Sequence, residues 1–369
     1  MLGGGAGGVA KEKCMQRPVQ EWRRIAALVL GFTLVMGCGL ASCDVNQPVS
    51  QGKLSVCFLD VEQGNGILIV SPTGIAALID VGTGRGDGHS DTDPVQFIRT
   101  LAGSVADFRL QVVIATHYDA DHIGKLDEVL NAGLLSASGT VYDHGGPGTD
   151  SGAYTKYAAS IGSHEHVAAA PGMTIDLGGG AALRCYAAGG AYWDGAGVQT
   201  VSLSPTDENG RSVALVLTYH QFKMWFGGDL GETVEEVLAP YLPDVDVYAV
   251  DHHGSQSSSS LSFLEALKPE HAICQSGEDN TYGHPNKDAV SRILSISTTD
   301  SGHPKFIQQN RGKPGDSDSD DSLAFVIADP DGSGPLPGTI TVTTDGRTSL
   351  CVKTPVTTLT TALGRYGGP

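Results

Sequence analysis

Residues 116–124 read Thr116-His117-Tyr118-Asp119-Ala120-Asp121-His122-Ile123-Gly124. Four side chains able to bind a metal, His117, Asp119, Asp121 and His122, fall within six residues. The preceding run, residues 110–115 (LQVVIA), has the length and β-branched content of a buried strand. The four groups therefore leave the end of one strand together, on a loop that can curl around a cation. Imidazole and carboxylate suit zinc and related divalent ions. The alternative is a solvated polar loop that happens to hold two histidines.

Outward from this loop, strands and helices alternate. Residues 54–59, 66–70 and 76–80 read as three successive strands with turn residues between them. Asp93 caps a helix that starts at Pro94 and runs to about Leu101. A helix is expected over 123–131, stopped by Gly133, and another near 153–161 between short strands at 141–143 and 183–187. Residues 213–219 and 223–226 form a hairpin leading into Asp229. Helices near 232–242, 261–267 and 288–296 alternate with strands at 245–250 and 272–275, and residues 323–328, 339–343 and 349–352 close the pattern. Strands followed by mixed βα units predict an α/β fold, two packed sheets with helices outside.

The 369 residues are 40% hydrophobic, enough to bury a sizeable core, and carry 41 acidic against 23 basic side chains. The net charge of -18 argues against tight, sequence-independent binding to nucleic acid backbones. Arg17, Arg23 and Arg24 precede an apolar stretch over 25–40 that is short and interrupted for a membrane span. Leu40-Ala41-Ser42-Cys43 resembles a bacterial lipobox with Cys43 as the lipidated residue; an uncleaved signal anchor is the alternative. Either places the protein in the cell envelope, lipid-anchored or secreted, outside the cytoplasm. The organisation expected is a targeting segment over 1–43, a linker over 44–53, one domain over 54–355 and a tail over 356–369. Cys57, Cys185, Cys274 and Cys351 are widely spaced without a Cys-x-x-Cys pattern, so free thiols and disulfides are both open. The acidic stretch 315–321 lacks the glycine and distal glutamate of a calcium loop and reads as solvated. The loop over 84–93, with Asp87, His89 and Asp91, follows the strand ending at Asp80.

The pattern His-x-Asp-x-Asp-His-x-Gly resembles the signature of the metallo-β-lactamase superfamily, with Asp119 where a second histidine is commoner. That variant is similar to the hydrolase domains of ComEC-type competence proteins. Asp60-Val61-Glu62-Gln63-Gly64-Asn65 resembles an opening Asp-Val-Gly-Gln-Gly-Asp element, with Glu62 and Asn65 as departures. Leu78 to Gly82, Phe226-Gly227-Gly228-Asp229, Asp251-His252-His253-Gly254-Ser255 and Tyr282-Gly283-His284-Pro285 resemble later elements, in family order. The resemblance implies a metallo-β-lactamase αββα sandwich.

It also implies two divalent metal ions, zinc first and manganese second. His117 and Asp119 serve the first, Asp121 and His122 the second, and Asp229 bridges. One of His252 and His253 completes the second site, His253 being preferred; the other binds an anionic leaving group. The first site lacks the histidine that the superfamily places before the bridging aspartate; candidates are His144, the best placed, and His164, His166 and His220. Asp80 and Asp60 are expected to orient ligands from behind. Asp121 is assigned to the chemistry as well as to the metal, and His284 to donating a proton to a leaving alkoxide. Ser255 and His252 are expected to touch substrate. The reading is an exported metal-dependent hydrolase, a phosphodiesterase using a metal-bridging hydroxide on a small or polymeric phosphoester. A nuclease acting on DNA or RNA and a non-catalytic metal-binding envelope protein are the alternatives.

Overall fold

The computed structural model describes residues 52–82, 93–105, 107–278, 280–298, 302–310, 325–329, 338–354 and 358–363. The targeting segment, nearly all of the linker, and the acidic stretches over 84–92 and 315–321 lie outside the described residues. In β1 (Leu54–Phe58), Leu54, Val56 and Phe58 join the layer between two sheets, while Cys57 turns toward the helices. Both faces are buried, which is why this strand reads as an apolar run and not as a polar–apolar alternation.

From β1 the chain lays down β2 (Gly66–Val70), β3 (Ile75–Val81), β4 (Arg109–Ile114), β5 (Leu135–Asp143) and β6 (Glu165–Ala168) side by side. It then crosses to a second sheet of β7 (Thr174–Gly178), β8 (Ala181–Ala188), β9 (Ala191–Trp193), β10 (Val198–Thr200), β11 (Ala214–Tyr219), β12 (Phe222–Phe226), β13 (Val247–Ala249), β14 (His271–Cys274), β15 (Lys305–Asn310) and β16 (Phe325–Asp329). Finally β17 (Ile340–Thr344), β18 (Ser349–Lys353) and β19 (Thr358–Ala362) return to the first sheet beside β1. The strand orders are β19-β18-β17-β1-β2-β3-β4-β5-β6 and β10-β9-β8-β11-β12-β13-β14-β15-β16, with β7 against β8. Each sheet is antiparallel on one side and parallel on the other, from β3 to β6 and from β12 to β16.

Parallel neighbours need crossovers. On the first sheet these are α1 (Pro94–Ser104), α2 (Ala120–Ile123), α3 (Leu126–Asn131) and α4 (Gly152–Ile161). On the second they are α5 (Glu232–Leu238), α6 (Leu261–Leu267) and α7 (Lys287–Ser295). Ile98, Leu126, Val129 and Tyr157 pack with Leu68, Leu78 and Val113 on one outer face. Val234, Leu238, Phe263 and Ile293 pack with Trp225 and Tyr248 on the other. Ile69, Ile79, Ile114, Leu215, Leu217, Phe226 and Ile273 fill the space between the sheets. The expected αββα sandwich is the observed one. Among the described residues, no helix is long and apolar enough to cross a membrane.

Several local expectations need correction. Residues 358–362, read as tail, are the strand β19 paired antiparallel with β18. The helix expected over 123–131 breaks at Gly124-Lys125 into two short pieces. β6 is an edge strand whose residues are mostly exposed, so it has no apolar signal, and His166 lies in it. Cys57, Cys185 and Cys274 are free thiols in the core.

The carboxyl ends of β3, β4, β12, β13 and β14 open at one edge of the sandwich, where α/β sheets place ligands. The loop after β4 is pinned there by its backbone. The Asp121 carbonyl accepts the Asn65 amide at 2.9 Å, and the Gly82 amide reaches the Asn65 carbonyl at 2.9 Å. A Cβ on Gly82 overlaps the Asp121 carbonyl, so the glycine ending Leu78 to Gly82 is there for close approach. Gly82→Ala is expected to cost about 1–3 kcal/mol through overpacking, read as a lower urea midpoint; an unchanged midpoint would show that the loop yields freely.

Candidate metal centre

β4 ends at Ile114, and Thr116 then locks the loop to β3. Its amide and hydroxyl donate to the two Asp80 oxygens at 2.8 and 2.7 Å. Asp80 is fully buried and also takes His122 Nδ1 at 2.8 Å. With both its oxygens already accepting, the Asp80 carboxylate makes Nδ1 the protonated nitrogen, so the lone pair of His122 sits at Nε2. The same logic fixes His253, whose Nδ1 donates to the Gln275 carbonyl at 2.9 Å. The two Nε2 atoms face each other at 3.3 Å, and Asp229 Oδ1 lies 3.0 Å from one and 3.5 Å from the other. Asp121 Oδ2 is 3.5 Å from His253 Nε2.

With both imidazoles neutral, their lone pairs converge on one point beside Asp229 Oδ1. Asp229 Oδ1 and His117 Nε2 are buried without a hydrogen-bond partner. One ligand atom from each of Asp121, His122, Asp229 and His253 lies within 4.8 Å of the others. Such a donor set fits a divalent cation, which satisfies the facing acceptors that no side chain here can.

The electrostatics agree. Burial opposes ionisation of Asp229, yet His122, His253 and His252 outweigh it and hold the carboxyl well below the usual range. Burial likewise opposes charge on His122, but Asp229 and Asp80 draw its pKa well above that of free imidazole. Burial and then the Asp121 charge push Asp119 up to about 6. The cluster is short of positive charge.

The other arm of Asp229 faces a second group. Oδ2 lies 4.0 Å from His117 Nε2 and 3.6 Å from His252 Nε2, and Asp119 Oδ2 is 3.8 Å from His117 Nε2. His117 Nδ1 rests on Thr116 and Ser212 hydroxyls at 3.2 and 3.3 Å, and Ser212 also accepts the Asp229 amide at 3.2 Å. Ser212 has no motif around it, so its part was not legible from sequence.

The histidine pair sits on a turn with two consecutive left-handed residues, His252 (φ 50°) and His253 (φ 54°). Left-handed backbone costs a non-glycine residue roughly 1–2 kcal/mol, and strain of this kind collects at functional sites. The turn is braced by Asp251, which accepts Trp225 Nε1 at 2.9 Å, and by the His252 amide on the Gly228 carbonyl at 2.9 Å. Burial first, then the charge of Glu235, holds the Asp251 carboxyl well above the usual range, and the two share a hydrogen bond. A Cβ on Gly227 would overlap the Asp251 carboxyl, which explains the first glycine before Asp229.

Other expected residues fall elsewhere. His144 does not reach the cluster: its Nδ1 accepts the Gly146 amide at 3.0 Å and its Nε2 donates to Glu208 at 2.9 Å, leaving no lone pair for a metal. His166 bonds Asp143 at 2.7 Å, and His220 lies against Arg347. His164 is half-buried in the turn after α4. Asp60 accepts Asn310 and the Glu62 amide, stapling the loop after β1 to β15. Ser255 bonds Ser257 at 3.1 Å, and the amides of Ser259 and Ser260 cap Glu235, so the serine run supports the turn. His284 is placed over the site: its ring centre is 5.6 Å from that of His252 and 6.1 Å from that of His253, and its buried Nδ1 has no hydrogen-bond partner. Burial, with His253 and His252 next, lowers it to about 4, so it is a neutral imidazole at pH 7.

Residues 59–277 match the sequence profile of the Metallo-beta-lactamase superfamily. The chain belongs to that superfamily. Proteins similar to it include Recombination protein 2 of Haemophilus influenzae, 24% identical over 285 residues that cover 76% of this chain and 31% of that protein. Competence protein ComA of Neisseria gonorrhoeae is 35% identical over 107 residues, covering 27% of this chain and 16% of that protein. The chain thus spans less than a third of the length of these curated relatives. The solved metallo-beta-lactamase fold protein YhfI from Bacillus subtilis is similar with a TM-score of 0.40 and 13% identity, over 64% of this chain and 92% of that one. The chain carries a candidate divalent-metal site of histidines and aspartates at its strand ends.

Asp80→Asn keeps the shape but loses the charge that fixes His122, and zinc affinity is expected to fall by roughly 10–100-fold. His144→Ala is expected to leave zinc affinity unchanged. Competition against a chromophoric chelator reads both, and equal affinity of Asp80→Asn and wild type would contradict the role given to Asp80.

Proposed function

We propose that the protein is a metal-dependent hydrolase of phosphodiesters, working with two divalent cations held side by side through Asp229. The observation that carries this is one buried carboxylate whose Oδ1 faces His122 and His253 while Oδ2 faces His117 and His252. When bound, such a pair supplies a nucleophile at neutral pH and positive charge for the oxygens of the reacting group. Zinc suits the imidazole and carboxylate donors, with manganese second.

The chain's own residues supply the rest. Asp80 and the Gln275 carbonyl aim the imidazoles. His284, neutral and unpartnered at Nδ1, can offer a hydrogen bond to a substrate oxygen; its low pKa speaks for this and against standing protonated as an acid. A groove of about 310 Å³ opens from Asp229 and His252 and is lined by Asp207, Asn209, Glu232, Thr233 and Ser257, with no lysine or arginine among the described residues. Two carboxylates in that wall and a net charge of -18 favour a small phosphodiester with an uncharged or cationic leaving group over a polyanion. The lipobox-like Leu40-Ala41-Ser42-Cys43 supports action in the cell envelope, on a lipid-anchored or secreted protein.

A nuclease is the second reading, favoured by the relatives named for recombination and competence. Degradation of labelled single-stranded DNA that depends on His122 separates it from the first. The test of the main reading is hydrolysis of bis-p-nitrophenyl phosphate by the full chain, zinc and manganese compared. Asp229→Asn is expected to lower kcat/KM by roughly 10³-fold, the scale of losing preorganised electrostatic stabilisation. Undiminished turnover in that variant sinks the proposal.

A further inference from the structure

The first cation position, on the Oδ2 side of Asp229, is short of an imidazole. His117 and Asp119 arrive from the loop after β4, and the Asp229 carboxylate from the loop after β12. Of the four histidines between that loop and Asp229, His144 has both ring nitrogens engaged, His166 is held by Asp143, His220 lies against Arg347, and His164 sits in the turn after α4. None of them faces Asp229. The imidazole that does face Oδ2 comes from the opposite direction, from His252.

We propose that His252 is the missing protein ligand of the first cation, so that the two adjacent histidines of one turn serve different metals. This rests on the two-cation reading above. Consecutive residues of an extended strand point to opposite faces. Two consecutive left-handed residues, His252 (φ 50°, ψ 42°) and His253 (φ 54°, ψ 20°), instead bring both rings to Asp229, one beside each oxygen.

The separations around Oδ2 approach those of coordination. Ligand bonds of about 2.0–2.1 Å in a tetrahedral shell give ligand–ligand edges of about 3.3 Å. His252 Nε2 and His117 Nε2 lie 3.6 and 4.0 Å from Oδ2, and Asp119 Oδ2 lies 3.8 Å from His117 Nε2, a more open set than that. The Asp119 side chain, half exposed, has room to close it. Asn209 Nδ2 lies 3.3 Å from His252 Nε2; an amide donor there marks this nitrogen as the lone-pair bearer, and the long contact is one a cation can replace.

The assignment makes the two positions alike in donors. One has His117, His252, Asp119 and an Asp229 oxygen; the other has His122, His253, Asp121 and the other Asp229 oxygen. Without His252 the first position has a single imidazole among carboxylates and leans toward harder ions; with it, both suit zinc equally.

Zinc content of the full chain, measured by elemental analysis and calorimetric titration with zinc alone, tests this without reference to turnover. Wild type is expected to take two ions. His252→Asn, which tolerates the left-handed backbone but is too short to reach, is expected to take one, its weaker affinity reduced beyond the roughly 10–100-fold typical of an outer partner. Asn209→Ala is expected to keep two. A second readout uses wild type only, in case the variant does not fold. The His252 side chain is 22% exposed, so diethyl pyrocarbonate can label it, and the second zinc equivalent is expected to block that labelling. Two ions bound with unchanged affinity by His252→Asn, labelling of His252 that persists with two ions bound, or a wild type that takes only one ion would each overturn the assignment. Because ions are counted, a protein that binds two of them but leaves bis-p-nitrophenyl phosphate intact would remove the substrate reading alone.

Discussion

The arrangement depends on one carboxylate, that of Asp229, buried just after β12 among four imidazoles and, among the described residues, without a lysine or arginine partner. Burying an ion costs several kcal/mol unless opposite charge compensates it. Here the compensation must come from the histidines or from what they hold. Thr116, Ser212 and Asp80 are arranged to serve this constraint, and none of them is a metal-facing group itself.

The backbone around the carboxylate is constrained by the same need. Two glycines precede Asp229, one because the Asp251 carboxyl lies where its Cβ would be. Asp251 in turn shares its proton with Glu235, which caps the Ser259 and Ser260 amides at 2.7 and 2.6 Å. The strained histidine turn is thus braced from behind by a buried acid pair and the Trp225 indole. The acidic and serine-rich flanks of the His-His pair are its supports.

The site's main candidate ligands are legible in the sequence because each follows an apolar strand: His117 to His122 after β4, Asp229 after β12, His253 after β13. Strand ends carry their function in local order, and the sandwich brings them to one edge. What local order does not carry is which neighbour competes for a side chain. His144 also follows a strand, but Glu208, 64 residues away, takes its ring. Asp60 sits in a family-like element, yet Asn310, 250 residues on, takes one oxygen. Ser255 was read from its position beside the histidines, whereas the run's amides face Glu235. The adjacent histidines could not be ordered because strand periodicity fails in a left-handed turn. Exposed edges such as β6 and β10 had no apolar pattern to read, and β19 looked like a tail.

The candidate ligands come from both halves of the sandwich: His117, Asp119, Asp121 and His122 from the first sheet, Asp229, His252 and His253 from the second. An ion seated among them is therefore a rivet between layers otherwise joined by side-chain packing. Whatever binds only the folded chain stabilises it by mass action, about 4 kcal/mol at a thousandfold excess over its dissociation constant. That is a large share of a typical domain's stability. With the candidate site filled, divalent-ion supply would set the lifetime of the folded molecule: in a chelating environment its two layers would part more readily and expose the chain to proteolysis.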